Sequence, residues 1–135
     1  MPGLYMLDTN TVSYAIKGTI PKVRNRLGKI PMAQIVISAV TEAELRFGIA
    51  RRPEAKQLRI AVEELLLRVS VLPWDSQAAR EYGELRADLE RSGTPVGNLD
   101  LMIAAHALEA DAVLVTNDAA LRRIKRLKTE DWTKP

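Results

Sequence analysis

No cysteine occurs among the 135 residues. Disulfides, thiolate zinc sites and cysteine nucleophiles are thereby excluded, and nothing demands an oxidising compartment. Histidine is nearly as scarce, His106 being the only one. A pair of histidines acting as general acid and base is therefore impossible, as is a histidine-rich zinc site. Long apolar runs are missing as well. No window approaches the roughly 18 apolar residues that a membrane span needs, and MPGLYMLDTN lacks the cationic start and apolar stretch of a secretion signal. The expectation is a cytoplasmic protein with no membrane contact. Glycine-rich phosphate loops and HExxH are also absent.

What is present is an ordinary globular balance, 47% hydrophobic and 27% charged. A chain of this length buries roughly 68% of its unfolded surface, which suits one domain over residues 1–135. The net charge of +3 hides a segregation. Residues 1–60 carry ten Lys/Arg against four Asp/Glu, residues 61–118 four against eleven, and residues 119–135 six against two. Basic ends flanking an acidic middle offer a cationic surface to a polyanion, although solvated helix faces alone produce such runs.

Leu4-Tyr5-Met6-Leu7, Gln34-Ile35-Val36-Ile37-Ser38 and Ala112-Val113-Leu114-Val115-Thr116 are short apolar runs that read as buried parallel strands. Val69-Ser70-Val71-Leu72, stopped by Pro73, is a fourth, and Leu127-Lys128-Thr129-Glu130 a weaker edge strand. Helical periodicity covers Thr11–Lys17, Pro21–Lys29, Thr41–Arg51, Glu54–Arg68, Ser76–Arg91 and Leu99–Ala110, with a short helix after Asp118. Asp75 and Asn98 suit N-caps, and Pro21 a first helical turn. Strands alternating with helices over this length predict an α/β sandwich on a parallel sheet.

Four carboxylates sit at the ends of these elements. Asp8 directly follows the first strand and Asp118 the strand Ala112–Val115, where open α/β sheets bind ligands. Asp100 lies in the first turn of its helix, and an acid stands one turn into the helix after Ser38. For that acid Glu42 and Glu44 compete, being about 200° apart on a helix, and periodicity leaves the choice open. Each acid taken singly is also explained by capping or by the helix dipole. Together they form an all-oxygen set of the kind that Mg²⁺ accepts beside water and phosphate oxygens, suited to phosphodiester hydrolysis. His106 sits in the apolar helical stretch Met102–Leu108 and reads as a packed or surface helix residue.

With these residues in hand the chain resembles the PIN-domain ribonucleases, and within them the VapC toxins of bacterial and archaeal toxin–antitoxin pairs. The resemblance runs through Met6-Leu7-Asp8-Thr9-Asn10, Ile37 to Leu45 with Gly48, Gly93 to Gly97, Asp100 to Leu108, Val115-Thr116-Asn117-Asp118 and Glu130-Asp131-Trp132. It implies a PIN-like three-layer sandwich whose mostly parallel sheet is flanked by helices. In the family pattern the acid stands before an aliphatic residue and a short gap to glycine, which selects Glu44. The resemblance further implies that Asp8, Glu44, Asp100 and Asp118 hold Mg²⁺ or Mn²⁺, with Thr9, Asn10, Thr116 and Asn117 in hydrogen-bonding support. Leu121 stands where relatives often carry Phe, a conservative core change, and Asn98-Leu99 departs from a commoner proline-containing loop.

By the same resemblance the expected activity is endoribonucleolytic cleavage of structured RNA, with tRNA and the initiator anticodon loop as the candidate target. The expected partners are a VapB-like antitoxin and a second copy of the chain. Lys17, Arg46, Arg51, Arg52, Arg122 and Arg123, from the basic ends, are the candidates for RNA phosphate contact. Rival readings are a non-catalytic PIN-like module that binds nucleic acid or protein, a DNA nuclease, and a phospho-acceptor domain using Asp8. The last would want paired acids beside Asp8, where Thr9 and Asn10 stand.

Overall fold

Alternation within single strands sends side chains into two separate cores. In the computed structural model, which describes residues 3–135, strand β1 (Leu4–Leu7) points Met6 to one face of the sheet and Leu7 to the other. Its parallel neighbours β2 (Ile35–Ser38) and β4 (Ala112–Val115) repeat the alternation in register, Met6 beside Val36 and Leu114, and Leu7 beside Val115. Five parallel strands lie in the order β3-β2-β1-β4-β5, with β3 (Ser70–Leu72) and β5 (Thr129–Glu130) at the edges. A sheet apolar on both faces must be covered on both, and it is.

Helices α1 (Thr9–Lys17), α2 (Pro21–Gly28) and α4 (Lys56–Arg68) cover the Leu7 face through Val12, Val23 and Val62. Helices α5 (Ser76–Arg91), α6 (Asn98–Glu109) and α7 (Ala119–Arg122) cover the Met6 face through Leu85, Ile103 and Leu121. Helix α3 (Ala39–Ala50) bridges the two, giving Val40 to one core and Leu45 and Ile49 to the other. This is the three-layer α/β arrangement expected from the sequence. Burying each large aliphatic side chain contributes about 1.5–3 kcal/mol. Leu121 is fully buried, so the departure from Phe does leave a core residue in place.

All five expected strands form, but several helices start elsewhere than periodicity indicates. Helix α1 begins at Thr9 because Asp8 itself is the N-cap, and α3 begins at Ala39 because Ser38 is, its Oγ accepting from the Val40 N–H at 3.1 Å. A polar residue ending a strand caps the next helix without an intervening loop. Asp75 caps α5 and Pro21 occupies the first turn of α2, as expected. Asn98 does not cap α6. Extended Gly97 holds that position without a side-chain bond, and Asn98 is already helical. Leu127 and Lys128 precede β5, and Leu127 turns into the core.

His106 is buried, 1% exposed, with Nδ1 2.7 Å from Ser38 Oγ. One contact thus ties α6 to the junction of β2 and α3. Burial holds the imidazole below its ordinary pKa of 6.5, against a smaller opposing pull from Asp75. The unfolded chain binds a proton that the folded chain resists, so stability is present above about pH 6.5 and is lost as the pH falls through it. Ser38→Ala removes both the cap and the partner of His106, and urea unfolding should record a loss of about 1–3 kcal/mol. His106→Gln should unfold with a shallower loss of stability than wild type between about pH 7.5 and pH 5.5. An unchanged slope would assign the acid sensitivity to another group.

Candidate active site

The chain builds β1, β2 and β3 outward in one direction, then returns to lay β4 and β5 on the other side of β1. Strand order reverses between β1 and β4, and at such a point the two following segments diverge and leave a crevice at the carboxyl ends. Asp8 leaves β1 and Thr116-Asn117-Asp118 leave β4 at that crevice. The Asp8 N–H donates to Val115 O at 3.1 Å, continuing the ladder to the lip of the sheet.

Local bonds hold each acid. Asp8 is 4% exposed and Oδ1 accepts from the Thr11 N–H at 2.8 Å, while the Thr11 hydroxyl donates to Val115 O at 3.0 Å. Asp118 caps α7 through the Leu121 N–H at 3.0 Å, and its own N–H donates to Thr116 Oγ1 at 3.1 Å. Across the crevice Glu44 Oε1 accepts from the Thr9 hydroxyl at 2.5 Å, and Thr9 Oγ1 lies 3.3 Å from Thr41 Oγ1. Glu42 instead points outward and accepts from Arg46 at 2.8 Å. The two glutamates that periodicity left open are thus separated by their partners. Asp100 enters from the first turn of α6.

The electrostatics register the crowding. Asp100 is raised above the ordinary carboxylate pKa of 3.8 by burial first, then by the charges of Asp118, Asp8 and Glu44. Asp8 is also raised, mainly by burial, with bonds from Thr116 and Thr11 pulling the other way and Asp118 adding to the rise. Like charges gathered in a partly desolvated crevice favour a proton or a cation. Among the described residues, no three His, Asp or Glu side chains close into a ready-made metal cage. The donor set fits a hard cation of the Mg²⁺ type, which keeps several waters and needs only one or two carboxylates.

The supporting and basic residues divide. Thr9 and Thr116 touch the acids, whereas Asn117 Nδ2 reaches Tyr14 Oη at 3.4 Å and exposed Asn10 makes no side-chain hydrogen bond among the described residues. Lys17, Arg51 and Arg52 line a cleft together with Thr9, Asn10 and Glu44. Arg46 is held on the outer surface by Glu42 and Glu63, and Arg122 lies 3.6 Å from Asp131 in a different cleft. Arg123 is exposed just beyond α7 and lines neither. Thr11 and Thr41, both buried, escaped the sequence reading. Thr41 and Glu44 are three apart on one helix, a spacing that puts them on one face and was open to notice.

A profile of the PIN domain matches residues 5–127. The chain is 39% identical over 129 residues to the tRNA(fMet)-specific endonuclease VapC of Salmonella typhimurium, spanning 95% of this chain and 97% of that protein. It is 36% identical over 133 residues to Ribonuclease VapC2 of Rickettsia felis, spanning 97% of this chain and 99% of that one. The DNA-bound VapBC structure from Salmonella typhimurium matches the fold with a TM-score of 0.89 at 38% identity, over 97% of this chain and 99% of that chain. Agreement in sequence and in fold along nearly the whole length leads to one assignment: this chain belongs to the PIN-domain family, among its VapC ribonucleases.

Proposed function

We propose that residues 1–135 form a single PIN-like nuclease domain, the toxin of a toxin–antitoxin pair, which cleaves structured RNA with Mg²⁺ or Mn²⁺. The observation that carries this reading is the gathering of Asp8, Glu44, Asp100 and Asp118 at the point where strand order reverses, with the Asp100 pKa raised by burial first and then by the charges of the other three. A relative named for tRNA(fMet) supports tRNA as the substrate, and the initiator anticodon loop is the target proposed from the family resemblance.

Asp8, Glu44, Asp100 and Asp118 would hold the cation. When bound, it would supply a polarised water nucleophile and neutralise charge on the phosphodiester. Thr9 keeps Glu44 turned inward, while Thr11 and Thr116 restrain Asp8 so that it need not reorganise as charge develops. Lys17, Arg51 and Arg52 offer cations to the RNA backbone beside Glu44. Arg46 is already bound to Glu42 and Glu63, and is the weakest candidate of the six.

A VapB-like antitoxin and a second copy of the chain are the proposed partners, the first supported by solved VapBC complexes. An antitoxin segment can lie along the helices on apolar anchors and set an Arg against the acids, pairing with them in place of the cation. The dimer is supported by an apolar cleft where Phe47, 64% exposed, and Leu99, 50% exposed, adjoin Val40 and Met102.

Asp8→Asn, Glu44→Gln, Asp100→Asn and Asp118→Asn should each slow RNA cleavage by about 100-fold or more. Chelator should abolish it, and products should carry 5′-phosphate and 3′-hydroxyl ends. Products with 2′,3′-cyclic phosphate, or cleavage that survives chelation, would overturn the mechanism. The raised Asp100 pKa destabilises the ionised fold at neutral pH, and that cost disappears as the pH falls through the folded and then the unfolded value. Metal-free Asp100→Asn should therefore melt above wild type at neutral pH, with the gap closing below about pH 4. A lower melting temperature at neutral pH would deny the cost that burial and the neighbouring acids impose on Asp100. Light scattering should give twice the 15.0 kDa chain mass, and co-expression with the neighbouring reading frame should yield an inhibited complex. A monomer that the neighbouring product neither binds nor inhibits would refute both partners.

A further inference from the structure

A second concave surface opens at the β5 end of the same sheet edge. Lys22 and Arg26 of α2, Lys29 at its C-cap, Arg122 of α7 and Lys134 line it, over a floor of Glu130, Asp131 and Trp132. Five cations thus face two carboxylates, and both carboxylates are committed. Glu130 Oε1 accepts from Arg26 at 3.1 Å and from the Trp132 indole N–H at 2.9 Å. The Asp131 side chain is 5% exposed, accepts from the Thr133 N–H at 2.9 Å and hydroxyl at 2.5 Å, and lies 3.6 Å from Arg122. The floor orders the two arginines. Lys22, Lys29 and Lys134 have no carboxylate within ion-pair distance among the described residues, although the charge of Lys134 reaches Asp131, and the side chains of the cleft keep an excess of three positive charges.

Its place in the fold is as informative as its charge. The strands are parallel, so Asp8 after β1, Asp118 after β4 and Asp131 after β5 all emerge at one edge. Strand β5 lies one strand spacing, about 4.8 Å, beyond β4. The single turn α7 links Asp118 at its start to Arg122 at its end. On the other side of the acids stands the cleft of Lys17, Arg51 and Arg52. A polyanion crossing the repulsive acids meets cations on both sides.

We infer that the β5-side cleft is a phosphate-binding track for the substrate RNA beyond the scissile bond, with Lys22, Lys29 and Lys134 as its principal contacts. This rests on the ribonuclease reading of the neighbouring acids. The track binds backbone and not bases. Trp132 is 4% exposed beneath Arg26, whose guanidinium lies 5.8 Å from the ring centroid, so no aromatic face is offered for stacking. Its contribution is therefore independent of RNA sequence and sensitive to salt.

The test combines Lys22→Gln, Lys29→Gln and Lys134→Gln in the full-length chain, with thermal melting as a check on folding. In an Asp100→Asn background, binding of a single-stranded RNA oligonucleotide long enough to cross both clefts is titrated over a range of salt. Three lost phosphate contacts should lower the log–log salt slope by about 2 and weaken binding roughly tenfold or more at moderate salt. With Asp100 restored, KM for that RNA should rise while kcat holds, and cleavage of bis(p-nitrophenyl) phosphate, too small to reach the cleft, should be unchanged. An unchanged slope and KM would overturn the track. Unaltered RNA binding with loss of the co-expressed protein partner would overturn it too, assigning the cleft to an acidic protein segment. If the parent chain cleaves neither substrate with Mg²⁺, the ribonuclease reading fails, and the binding titration still decides whether the cleft holds RNA.

Discussion

Four carboxylates held together at one partly buried sheet edge are the constraint around which the structure is organised. Carboxylates left to themselves move apart into solvent, and Asp100 and Asp8 register the cost of being denied that freedom, through burial first and neighbouring charge second. What denies it is the parallel sheet, whose reversal of strand order sends Asp8 and Asp118 out of adjacent strands at one edge. Helices α3 and α6 then present Glu44 and Asp100 from across the crevice. A cation is the natural resolution of such a field, and the strain it does not relieve falls on the surrounding fold.

That strain is carried by short-range bonds and by two cores. Threonines are the recurring device: the hydroxyls of Thr9 on Glu44 and of Thr116 on Asp8, the backbone N–H of Thr11 on Asp8, with Thr41 beside Thr9. A threonine hydroxyl restrains a carboxylate without neutralising it, which a lysine or arginine would do. Behind them the Ser38–His106 contact joins the helix bearing Asp100 to the strand end that starts the helix bearing Glu44. Both acid-bearing helices are thus referred to one buried point. Apolar packing on both faces of the sheet fixes that point in turn.

The outer surface answers the acids with charge of the opposite sign. Basic residues from both ends of the chain flank the acidic crevice, α2 joining the C-terminal residues at one side and Lys17, Arg51 and Arg52 standing at the other. Arrayed in this way, attraction to a polyanion comes from the flanks and chemistry from the centre. The proposed activity and the proposed backbone track follow from this one distribution of charge.

Much of this was legible in the residues. Short apolar runs marked the central strands β1, β2 and β4, because a strand covered on both faces has no polar side to hide, while the edge strands β3 and β5 carried weaker signals. The acids at strand and helix ends were visible as positions, and resemblance chose among them. Helix starts were misjudged at Thr9 and Ala39 because Asp8 and Ser38 cap directly from the strand, a use of polar residues that periodicity does not record. Asn98 was misassigned because an extended glycine took the position that asparagine usually takes. Which glutamate turns inward depends on Thr9, thirty-five residues away, and the fate of Arg46 on Glu63 from another helix. By itself the sequence determined the elements, their order and the kinds of chemical group at their ends, since these depend on neighbours along the chain. Only the tertiary structure decided which groups share a crevice and which cations stand unpaired, because both depend on distances between residues that the chain brings together after folding.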